Sequence, residues 1–428
     1  MPAHVQTEIP DHYYAMPDEQ IAEAIAARRA QLGERLLILG HHYQQEAVIR
    51  HADLTGDSLK LSRLAATETA RRGVKYIVFC GVNFMAETAD LLTDPGVAVI
   101  LPHLAAVCPM AAMADELDVT EAWESIHSKL GGNGGYRVVP VAYVNSSARV
   151  KAFVGDRGGA CCTSSNAVEV VRWAMAGGER RRTGTEKIIV LFIPDQHLGR
   201  NTAARVGLRT EPDPATGREL SETVLFSRKL PGGGLTTGQL RQARMILWEG
   251  HCYVHTRFSA EDVDHVRDEY ASNGGVRVVV HPECRKEVVD RADDVGSTEY
   301  MIDLIDRSEP GTRWAVGTEA NLVNRLAVRN APRGVLVRML GKSSCMCAQM
   351  FRIDPQHLAW TLDNLGRGKV VNRVVVEPEL RKSATAAVDR MLELTGQAPA
   401  VSEPMGAGAL HHAPADPRPA GGSSLQDP

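Results

Sequence analysis

The pattern of hydrophobic and polar positions is a regular alternation of short apolar runs and longer amphipathic stretches. Early in the chain, the runs LLILG, KYIVFCG and VAVILP are separated by helical patterns such as LKLSRLAATETARRG. Apolar runs without internal polar alternation are typical of parallel strands that are covered on both faces. The same alternation returns at 137–200 and at 276–341. The pattern therefore predicts an α/β fold with parallel sheets and helical crossovers.

Three stretches of the chain share one order of residues. Each has an apolar run that ends in two polar side chains one residue apart, then a Ser or Thr that opens a helical pattern, and later a cysteine. The polar pairs are His41/Tyr43, Tyr143/Asn145 and His281/Glu283, the hydroxyl positions are Ser58, Ser164 and Thr298, and the cysteines are Cys108, Cys252 and Cys347. Ser58 and Cys108 are 50 positions apart, and so are Ser297 and Cys347. We infer three copies of one unit that direct these residues towards a common centre.

The second copy departs from this spacing, because Ser164 and Cys252 are 88 positions apart, 38 more than in the other copies. The surplus falls in the proline- and glycine-rich stretch 208–238, which we interpret as a surface insertion, either a mobile loop or a hairpin. Residues 1–19 are predicted to be a loosely ordered arm, and the Pro/Ala/Gly-rich tail at 396–428 is predicted to be disordered.

The three repeated cysteines favour a metal centre. A single free cysteine is most often a small buried apolar residue, but the repeated placement in short connections after a strand favours ligands. A thiol near a helix N-terminus is expected to have a lowered pKa. Three thiolates from separate units suit an iron–sulfur cluster better than zinc, which usually takes closely paired cysteines. If a 4Fe-4S cluster receives three protein ligands, one iron stays open to act as a Lewis acid.

The remaining cysteines are not expected to be ligands. Cys345 and Cys347 are separated by one residue, which is short for two ligands of one zinc ion, and the spacing of 50 residues selects Cys347. The adjacent Cys161 and Cys162 are interpreted as packing residues at a strand end, and Cys80 in the run YIVFC as a core residue.

The hydroxyls and the polar pairs each allow two interpretations. A Ser or Thr at a helix start could be an N-cap, which stabilises the helix by about 1 kcal/mol, or part of a site for phosphate or carboxylate. Three anion sites around one centre would imply a substrate with several negative groups. The polar pairs lie at the carboxyl ends of predicted parallel strands, where α/β sheets bind ligands. Tyr43 and Glu283 are candidate acid/base groups and Asn145 a candidate orienting group, although a lone His or Tyr there could simply be a packing residue.

Composition narrows the classes of function. With a net charge of −4 and an aromatic content of 5%, the chain lacks the basic field and the stacking surface expected for binding nucleic acid or an anionic membrane. The sequence contains no run of 18 or more apolar residues, so no membrane-spanning helix is predicted. The N-terminus lacks the apolar segment of a signal peptide, so a cytoplasmic protein is expected. In a reducing compartment, the eight scattered cysteines favour ligands or buried thiols over disulfides.

The motifs HHYQ, GDS, FMAETA, YVNSSA, PDQHLGRN, VHPEC, GSTEYMI and CAQM resemble those of quinolinate synthase of the A type, from about residue 34 to about 370. The resemblance implies three homologous three-layer αβα domains with parallel sheets around a pseudo-threefold axis. It implies an enzyme of NAD biosynthesis that condenses iminosuccinate (iminoaspartate) with dihydroxyacetone phosphate to quinolinate, phosphate and water. It also implies a 4Fe-4S cluster whose open iron is a Lewis acid, and a transient contact with the enzyme that supplies iminosuccinate.

The resemblance assigns roles to the repeated residues. The implied cluster ligands are Cys108, Cys252 and Cys347. The implied substrate-binding residues are His41, Ser58, Tyr143, Asn145, Ser164, His281, Glu283 and Thr298. The residues implied in the chemistry are Tyr43, Glu283, His41 and Asn145. The implied organisation is an arm at 1–19, domains at 20–112, 113–256 (with an insertion at about 203–240) and 257–395, and a tail at 396–428.

The sequence departs from the family pattern in two features, and it leaves two alternative functions open. The insertion at 208–238 is longer than the usual connection of the family, and Cys345 adds a second thiol beside Cys347. A rival enzyme is a lyase or hydratase of another polycarboxylate, which would release no phosphate from dihydroxyacetone phosphate. A rival outside enzymology is an iron–sulfur sensor that binds a partner, but such a protein would not need three convergent polar pairs.

Overall fold

The computed structural model describes residues 8–131, 135–180, 184–210, 221–341 and 345–396. Parts of three predictions therefore lie outside the described residues. These parts are the first seven residues of the arm, residues 211–220 of the insertion, and the tail from residue 397 onwards.

Fourteen strands form in the described part of the chain. They are β1 Leu36–His41, β2 Leu54–Gly56, β3 Tyr76–Cys80, β4 Ala98–Ile100, β5 Tyr136–Tyr143, β6 Ala160–Cys162, β7 Lys187–Ile193, β8 Thr223–Phe226, β9 Met245–Trp248, β10 Arg277–Val280, β11 Asp294–Val295, β12 Arg313–Gly317, β13 Leu336–Met339 and β14 Arg373–Val374.

Seventeen α-helices lie between or after these strands in the same described ranges. They are α1 His12–Ala15, α2 Asp18–Leu32, α3 Glu46–Ile49, α4 Ser58–Arg72, α5 Asn83–Leu92, α6 Glu116–Leu130, α7 Ala148–Asp156, α8 Ala167–Met175, α9 Gln196–Arg205, α10 Thr237–Gln242, α11 Ala260–Tyr270, α12 Lys286–Val289, α13 Thr298–Asp306, α14 Ala320–Asn330, α15 Ala348–Phe351, α16 Pro355–Gly366 and α17 Pro378–Gly396. Short 3₁₀ helices lie at Gly33–Arg35, Ala111–Met113, Pro231–Gly234, His255–Arg257, Ala271–Asn273 and Ala331–Arg333.

The strands form three sheets of matching order. The first has the order β2-β1-β3-β4 with β14 beside β4, the second β6-β5-β7-β9 with β8 beside β9, and the third β11-β10-β12-β13. Neighbouring described strands are parallel, apart from β14, which is antiparallel to β4. Helices connect successive parallel strands, as such crossovers require. The predicted α/β fold with three αβα units is confirmed.

The strand registers define which residues of the three units correspond. Pairing between the first two strands places His41 opposite Gly56 and Tyr143 opposite Cys162, and in the third unit it ends at Val280 and Val295, one residue before His281. When the third register is continued by one residue, the predicted hydroxyl positions Ser58, Ser164 and Thr298 lie two residues beyond the pairing partner in every unit. Because the carboxyl ends of parallel strands meet at one edge of a sheet, each unit presents these groups on the same side.

The apolar runs become strands because both of their faces are covered. All six residues of β1 are buried, and so are six of the seven residues of β7. Residues of β1, β3, β5 and β7 belong to one hydrophobic cluster, which joins the first and second units. Burial of apolar surface contributes about 25 cal/mol per Å², so this shared cluster holds the carboxyl ends of the two sheets in a fixed relation.

The insertion in the second unit is partly a strand. Its residues Thr223–Phe226 form β8, which pairs in parallel with β9 at the edge of the second sheet. The interpretation of the remaining insertion as a mobile loop or a hairpin stays a prediction, because residues 211–220 lie outside the described residues. The β-branched and apolar residues of TVLF favour a strand, in which Thr223 and Phe226 are buried while the two residues between them are half-buried.

After the third sheet, the chain returns to the other two units. Helix α16 packs on α2, β14 pairs with β4, and α17 packs on α7 and β6. At the other end of the chain, Tyr13 is buried and its hydroxyl donates to Asp363 of α16 at 2.5 Å. The segment from Pro355 onwards thus contacts the first and second units, and the unit boundaries drawn from the sequence stay a prediction. Within the described residues, no helix combines the length and the apolar character needed to cross a bilayer.

Candidate active site

A cavity of about 70 Å³ lies between the three units. Each unit supplies four of the residues predicted from the sequence, namely its polar pair, its hydroxyl and its cysteine. All twelve line this cavity: His41, Tyr43, Ser58, Cys108, Tyr143, Asn145, Ser164, Cys252, His281, Glu283, Thr298 and Cys347. The structure therefore brings the repeated residues to one place, whereas their roles in catalysis stay a prediction.

The polar pairs of the first and third units adopt the same turn. The backbone N–H of Tyr43 donates to Nδ1 of His41 at 3.1 Å, and the backbone N–H of Glu283 donates to Nδ1 of His281 at 3.3 Å. A ring nitrogen that accepts a bond carries no proton, so the Nε2 atom of each neutral ring must be the donor. Burial lowers the pKa of both histidines to about 3. Both imidazoles are therefore neutral hydrogen-bond donors in the site.

Glu283 is held by two neighbours. The hydroxyl of Tyr143 donates to its Oε1 at 2.5 Å, and Nδ1 of His255 lies 3.1 Å from its Oε2. Burial opposes ionisation of Glu283, but the neighbouring His255 and His281 and the hydrogen bond from Tyr143 lower the pKa of Glu283 to about 2. His255 also stacks on His281, with ring centroids 4.4 Å apart. Glu283 is therefore a carboxylate acceptor at neutral pH.

Tyr43 lies at the other end of the same network. Its hydroxyl is 2.8 Å from the Oγ1 of Thr318 and 3.3 Å from Nε2 of His255. Burial raises the pKa of Tyr43 well above its ordinary value, so the hydroxyl stays protonated. Hydrogen bonds thus connect Tyr43 through His255 to Glu283, a donor at one end and an acceptor at the other.

Asn145 has an unused acceptor. Its Oδ1 is buried and has no hydrogen-bond partner among the described residues. The following residue, Ser146, bonds back to the carbonyl of Tyr143 at 2.8 Å, and this bond fixes the turn that carries Asn145. A buried polar atom without a partner costs free energy, so this oxygen is suited to a donor that arrives with a ligand.

The three hydroxyls are not helix caps. The N-caps of α4 and α13 are the preceding residues, Asp57 and Ser297, whose side chains accept from backbone N–H groups. Ser164 does not begin a helix, because α8 starts at Ala167 after a turn in which Oδ1 of Asn166 accepts from the N–H of Thr163 at 2.6 Å. The expected helix start at Ser164 is therefore wrong. In the described part of the chain, none of the three cavity hydroxyls forms a hydrogen bond with another group.

The three thiols share one local geometry. The cysteines that line the cavity are half-buried, whereas the other cysteines of the chain are fully buried. In each unit, the backbone N–H groups of the second and third residues after the cysteine act to lower the pKa of its thiol. These donors are Met110 and Ala111, Val254 and His255, and Gln349 and Met350. Each sulfur therefore lies at the start of a helical turn, where a negative charge is favoured.

Burial raises the pKa of these thiols by more than the backbone donors lower it. It raises the pKa of Cys108 to about 12 and that of Cys252 well above the ordinary value. The predicted lowering of thiol pKa is thus wrong, because the loss of hydration costs the thiolate more than two N–H groups return. A cation among the sulfurs would reverse this balance, since thiolates ligate metals directly.

The donor set fits a thiolate-bound metal centre. Cys347 lines the cavity, whereas Cys345 is buried and is not among the described lining residues. A second group of possible ligands, Cys252, His255 and Glu283, has its ligand atoms within 4.8 Å of one another. Two of these three are already hydrogen-bonded to each other. Three soft sulfur ligands suit iron–sulfur chemistry better than that mixed group does.

A carboxylate fixes the cysteine-bearing loop of the third unit. Glu319 caps α14 and accepts from the backbone N–H of Cys347 at 3.3 Å. Asp195 occupies the corresponding position in the second unit, where its Oδ1 caps α9, while its Oδ2 is buried without a hydrogen-bond partner among the described residues. Burial raises the pKa of Glu319 to about 7. Glu319 thus orients the residue that carries the third thiol.

The family model described as "Quinolinate synthetase A protein" matches residues 23–393. The chain belongs to the quinolinate synthetase A family. The quinolinate synthase of Acidobacterium capsulatum is 49% identical over 387 residues, which cover 90% of this chain and 96% of the relative. The quinolinate synthases of Streptomyces coelicolor and Geobacillus kaustophilus are 47% and 43% identical, each over 90% of this chain, and cover 91% and 97% of the relatives. Like these members of the family, the chain is an enzyme.

His255 is the main site residue that sequence reasoning missed. It lies in the stretch WEGHCYVH, three residues after Cys252, and its two ring nitrogens join Tyr43 to Glu283. Nothing in the threefold repeat marks it, because the corresponding residues after the other two cysteines are Ala111 and Met350. The signal that could have found it is a histidine three residues beyond a candidate ligand, a spacing that one helical turn brings together.

Proposed function

We propose that this chain forms quinolinate from iminosuccinate and dihydroxyacetone phosphate, with release of phosphate and water, as a cytoplasmic step of NAD biosynthesis. The observation that carries the proposal is the meeting of three half-buried thiols, each with two backbone donors, beside the neutral histidines and Glu283 in one cavity. Membership of the family and the name quinolinate synthase shared by the relatives support the same reaction.

We assign Cys108, Cys252 and Cys347 as the ligands of a 4Fe-4S cluster. When bound, the cluster supplies a Lewis acid through the iron that has no cysteine ligand. Each thiol must lose its proton to become a ligand, and its two backbone N–H groups stabilise the thiolate that results.

The polar lining suits substrates that carry carboxylate and phosphate groups. The hydroxyls of Ser58, Ser164 and Thr298 are available as donors to carboxylate or phosphate oxygens. His41 and His281 add Nε2–H donors without a fixed positive charge. Because neutral donors hold an anion less tightly than cations would, they orient the substrates and still allow the product to leave. Oδ1 of Asn145 accepts from an N–H or O–H of the substrate.

Isomerisation, ring closure and dehydration each require a proton to be removed at one atom and returned at another. Glu283 is ionised and accepts a proton, while Tyr43 is protonated and donates one. The ring nitrogens of His255 lie 3.1 Å from Glu283 and 3.3 Å from Tyr43. After Glu283 has accepted a proton and Tyr43 has donated one, His255 can therefore transfer a proton from Glu283 to Tyr43. The three side chains thus form one relay for successive proton transfers.

The reaction itself is tested with purified full-length chain under anaerobic conditions. Both substrates are supplied, and quinolinate and phosphate are measured against time. We expect the two products to appear in equal amounts. Consumption of the carboxylate substrate with neither phosphate nor quinolinate would instead favour the polycarboxylate lyase or hydratase.

The ligand assignment is tested with two neighbouring cysteines. Cys347→Ala should lose the visible absorbance of the cluster together with quinolinate formation, since a ligand from the third unit is missing. Cys345→Ala is the matched control, two positions away and outside the described cavity lining, and should keep both. A normal spectrum in Cys347→Ala, or the reverse order of effects, contradicts the assignment.

A further inference from the structure

A second cleft lies on the outer side of the loops that form the catalytic cavity. It has a volume of about 460 Å³ and is open to solvent. Its chemically distinctive lining residues are His197, Arg200, His251, Arg285, Lys286 and Glu287. The cleft and the catalytic cavity share no described lining residue, so the two are separate sites.

The lining carries an excess of positive charge. Among the described residues, neither Arg200 nor Arg285 has a carboxylate oxygen within 4.0 Å. Lys286 is paired with Asp290 at 2.5 Å, and Glu287 is the acidic residue of the described lining. Two guanidinium groups without an ion-pair partner therefore belong to the lining, and its positive groups outnumber the one described carboxylate, Glu287.

The effect of this charge is visible on a neighbouring group. Burial, together with the neighbouring His251, Arg200 and Arg285, lowers the pKa of His197 to about 4. His197 and His251 lie edge to face, with ring centroids 6.4 Å apart. Both imidazoles can donate a hydrogen bond while neutral. The cleft thus offers two guanidinium groups and two imidazole donors to one ligand.

This combination selects a small oxyanion. A guanidinium group presents parallel N–H donors that match two oxygens of one phosphate, and it remains charged at all accessible pH values. A cationic residue without a carboxylate partner loses hydration on binding but breaks no ion pair. A phosphate dianion concentrates two charges and several acceptor oxygens in one group, whereas a dicarboxylate divides its charges between two separate groups.

We propose that this cleft binds phosphate dianions, free or as a phosphate monoester, and captures the phosphate-bearing substrate before it reaches the catalytic cavity. The capture step, but not the binding, rests on the proposed function. The connection is short, because Arg285 follows Glu283 by two residues, and His251 directly precedes Cys252. Concave sites of one charge raise the local concentration of an oppositely charged ligand and its rate of association.

Binding is tested by calorimetry on the full-length enzyme with inorganic phosphate, glycerol 3-phosphate and succinate as separate probes. We expect both phosphates to bind and succinate to bind at least about tenfold more weakly. Arg200→Gln/Arg285→Gln should weaken phosphate binding by at least about tenfold, since each guanidinium provides charge-assisted hydrogen bonds. Arg241→Gln, which changes an exposed arginine outside the cleft, is the matched control and should bind as the wild type does.

Two outcomes overturn the binding proposal. One is unchanged phosphate affinity in the double variant. The other is loss of all phosphate binding in Ser58→Val alone, which would assign the binding to the catalytic cavity. If the double variant does not fold, Arg285→Gln alone decides the question, because Arg285 is exposed. Equal affinity for succinate would show that the ligand class is wrong.

Capture is tested by kinetics at low and high ionic strength. Arg285→Gln should lower kcat/KM for dihydroxyacetone phosphate severalfold at low salt, with kcat unchanged, and the difference should shrink as salt screens the field. Unchanged kcat/KM in a variant that no longer binds phosphate overturns capture. If no quinolinate forms even in the wild type, the proposed function fails and capture with it, while the calorimetric result still decides binding.

Discussion

A single buried lysine supports the turn that carries Asn145. Lys151 is fully buried in α7, and its Nζ donates to the carbonyl oxygen of Ser146, the residue after Asn145. Among the described residues, no carboxylate lies within 4.0 Å of this ammonium group. A buried cation without a counter-charge is costly. We infer that Lys151 is a positioning residue, which holds Oδ1 of Asn145 towards the cavity.

Replacing Lys151 by Met should keep the packing of the stem and remove the bond to Ser146. We expect KM to rise about tenfold with a smaller change in kcat, because a substrate contact is misplaced while the proton relay stays intact. Lys129→Met is the matched control, since Lys129 also donates to backbone carbonyls, those of Gly232 and Leu235, but outside the site. Steady-state kinetics compares the two, and equal KM values would contradict the positioning role.

Lys151 should also change how the free energy of unfolding depends on pH. Burial lowers the pKa of Lys151 from its ordinary value of 10.5, so the unfolded chain binds more protons than the folded chain as pH approaches 10.5. Stability rises with pH wherever the unfolded state binds more protons. We therefore expect the wild type to gain stability relative to Lys151→Met as the pH is raised from 7 towards 10. Denaturant unfolding at several pH values measures the difference, and a gap that narrows with pH contradicts the shift.

At the scale of elements, one helix of the third unit holds the loop that carries Tyr43. Arg325 of α14 donates to the carbonyls of His42 and Gln44, and Asn321 donates to that of Tyr43 at 3.2 Å. These bonds join residues about 280 positions apart in the chain. The loop between β1 and α3 therefore has the position of Tyr43 set by another unit, and not by its own turn alone.

Arg325→Met should free this loop. We expect a loss of about tenfold to a hundredfold in kcat/KM, because Tyr43 no longer keeps its distance to His255, and faster amide hydrogen exchange at residues 42–45. Arg329→Met lies one helical turn further along and changes an exposed arginine that pairs with Asp306. It should leave both measurements near wild type. Slow amide exchange at residues 42–45 in Arg325→Met would show that the loop keeps its conformation without the bonds from Arg325.

Much of the cavity lining could be predicted from the sequence, because strand ends carry polar pairs that recur with a hydroxyl and a cysteine. The raised pKa of the thiols could not be predicted from the sequence, because it depends on how deeply the packing of three units buries Cys108 and Cys252. The turn at Ser164 could not either, because it depends on a local bond from the N–H of Thr163 to the side chain of Asn166. Whether such a local bond forms is decided by tertiary context and not by propensity.

At the scale of the molecule, the three units are joined by a segment that no repeat predicts. The helical spacing of the apolar residues in α17 predicts one apolar face, and Ala384, Ala387, Val388 and Met391 on that face are buried. The spacing does not identify the element that covers this face. The partner is the second unit, because these residues join the cluster that contains Phe153 and Val154 of α7. The C-terminal helix thus stabilises a unit that ends far earlier in the chain.

The contact between α17 and α7 depends on a glycine. A Cβ on Gly155 would lie 1.8 Å from the carbonyl oxygen of Ser383, a backbone atom that moves only if the whole helix moves. Gly155→Ala should therefore lower the free energy of unfolding by about 2 kcal/mol or more and weaken the docking of α17. Gly238→Ala is the matched control within helix α10, where the nearest side-chain atom is 3.9 Å away, and it should be neutral or stabilise by about 0.5–1 kcal/mol. Denaturant unfolding and amide exchange over 378–396 measure both variants, and wild-type stability in Gly155→Ala would mean that α17 is not held at this distance.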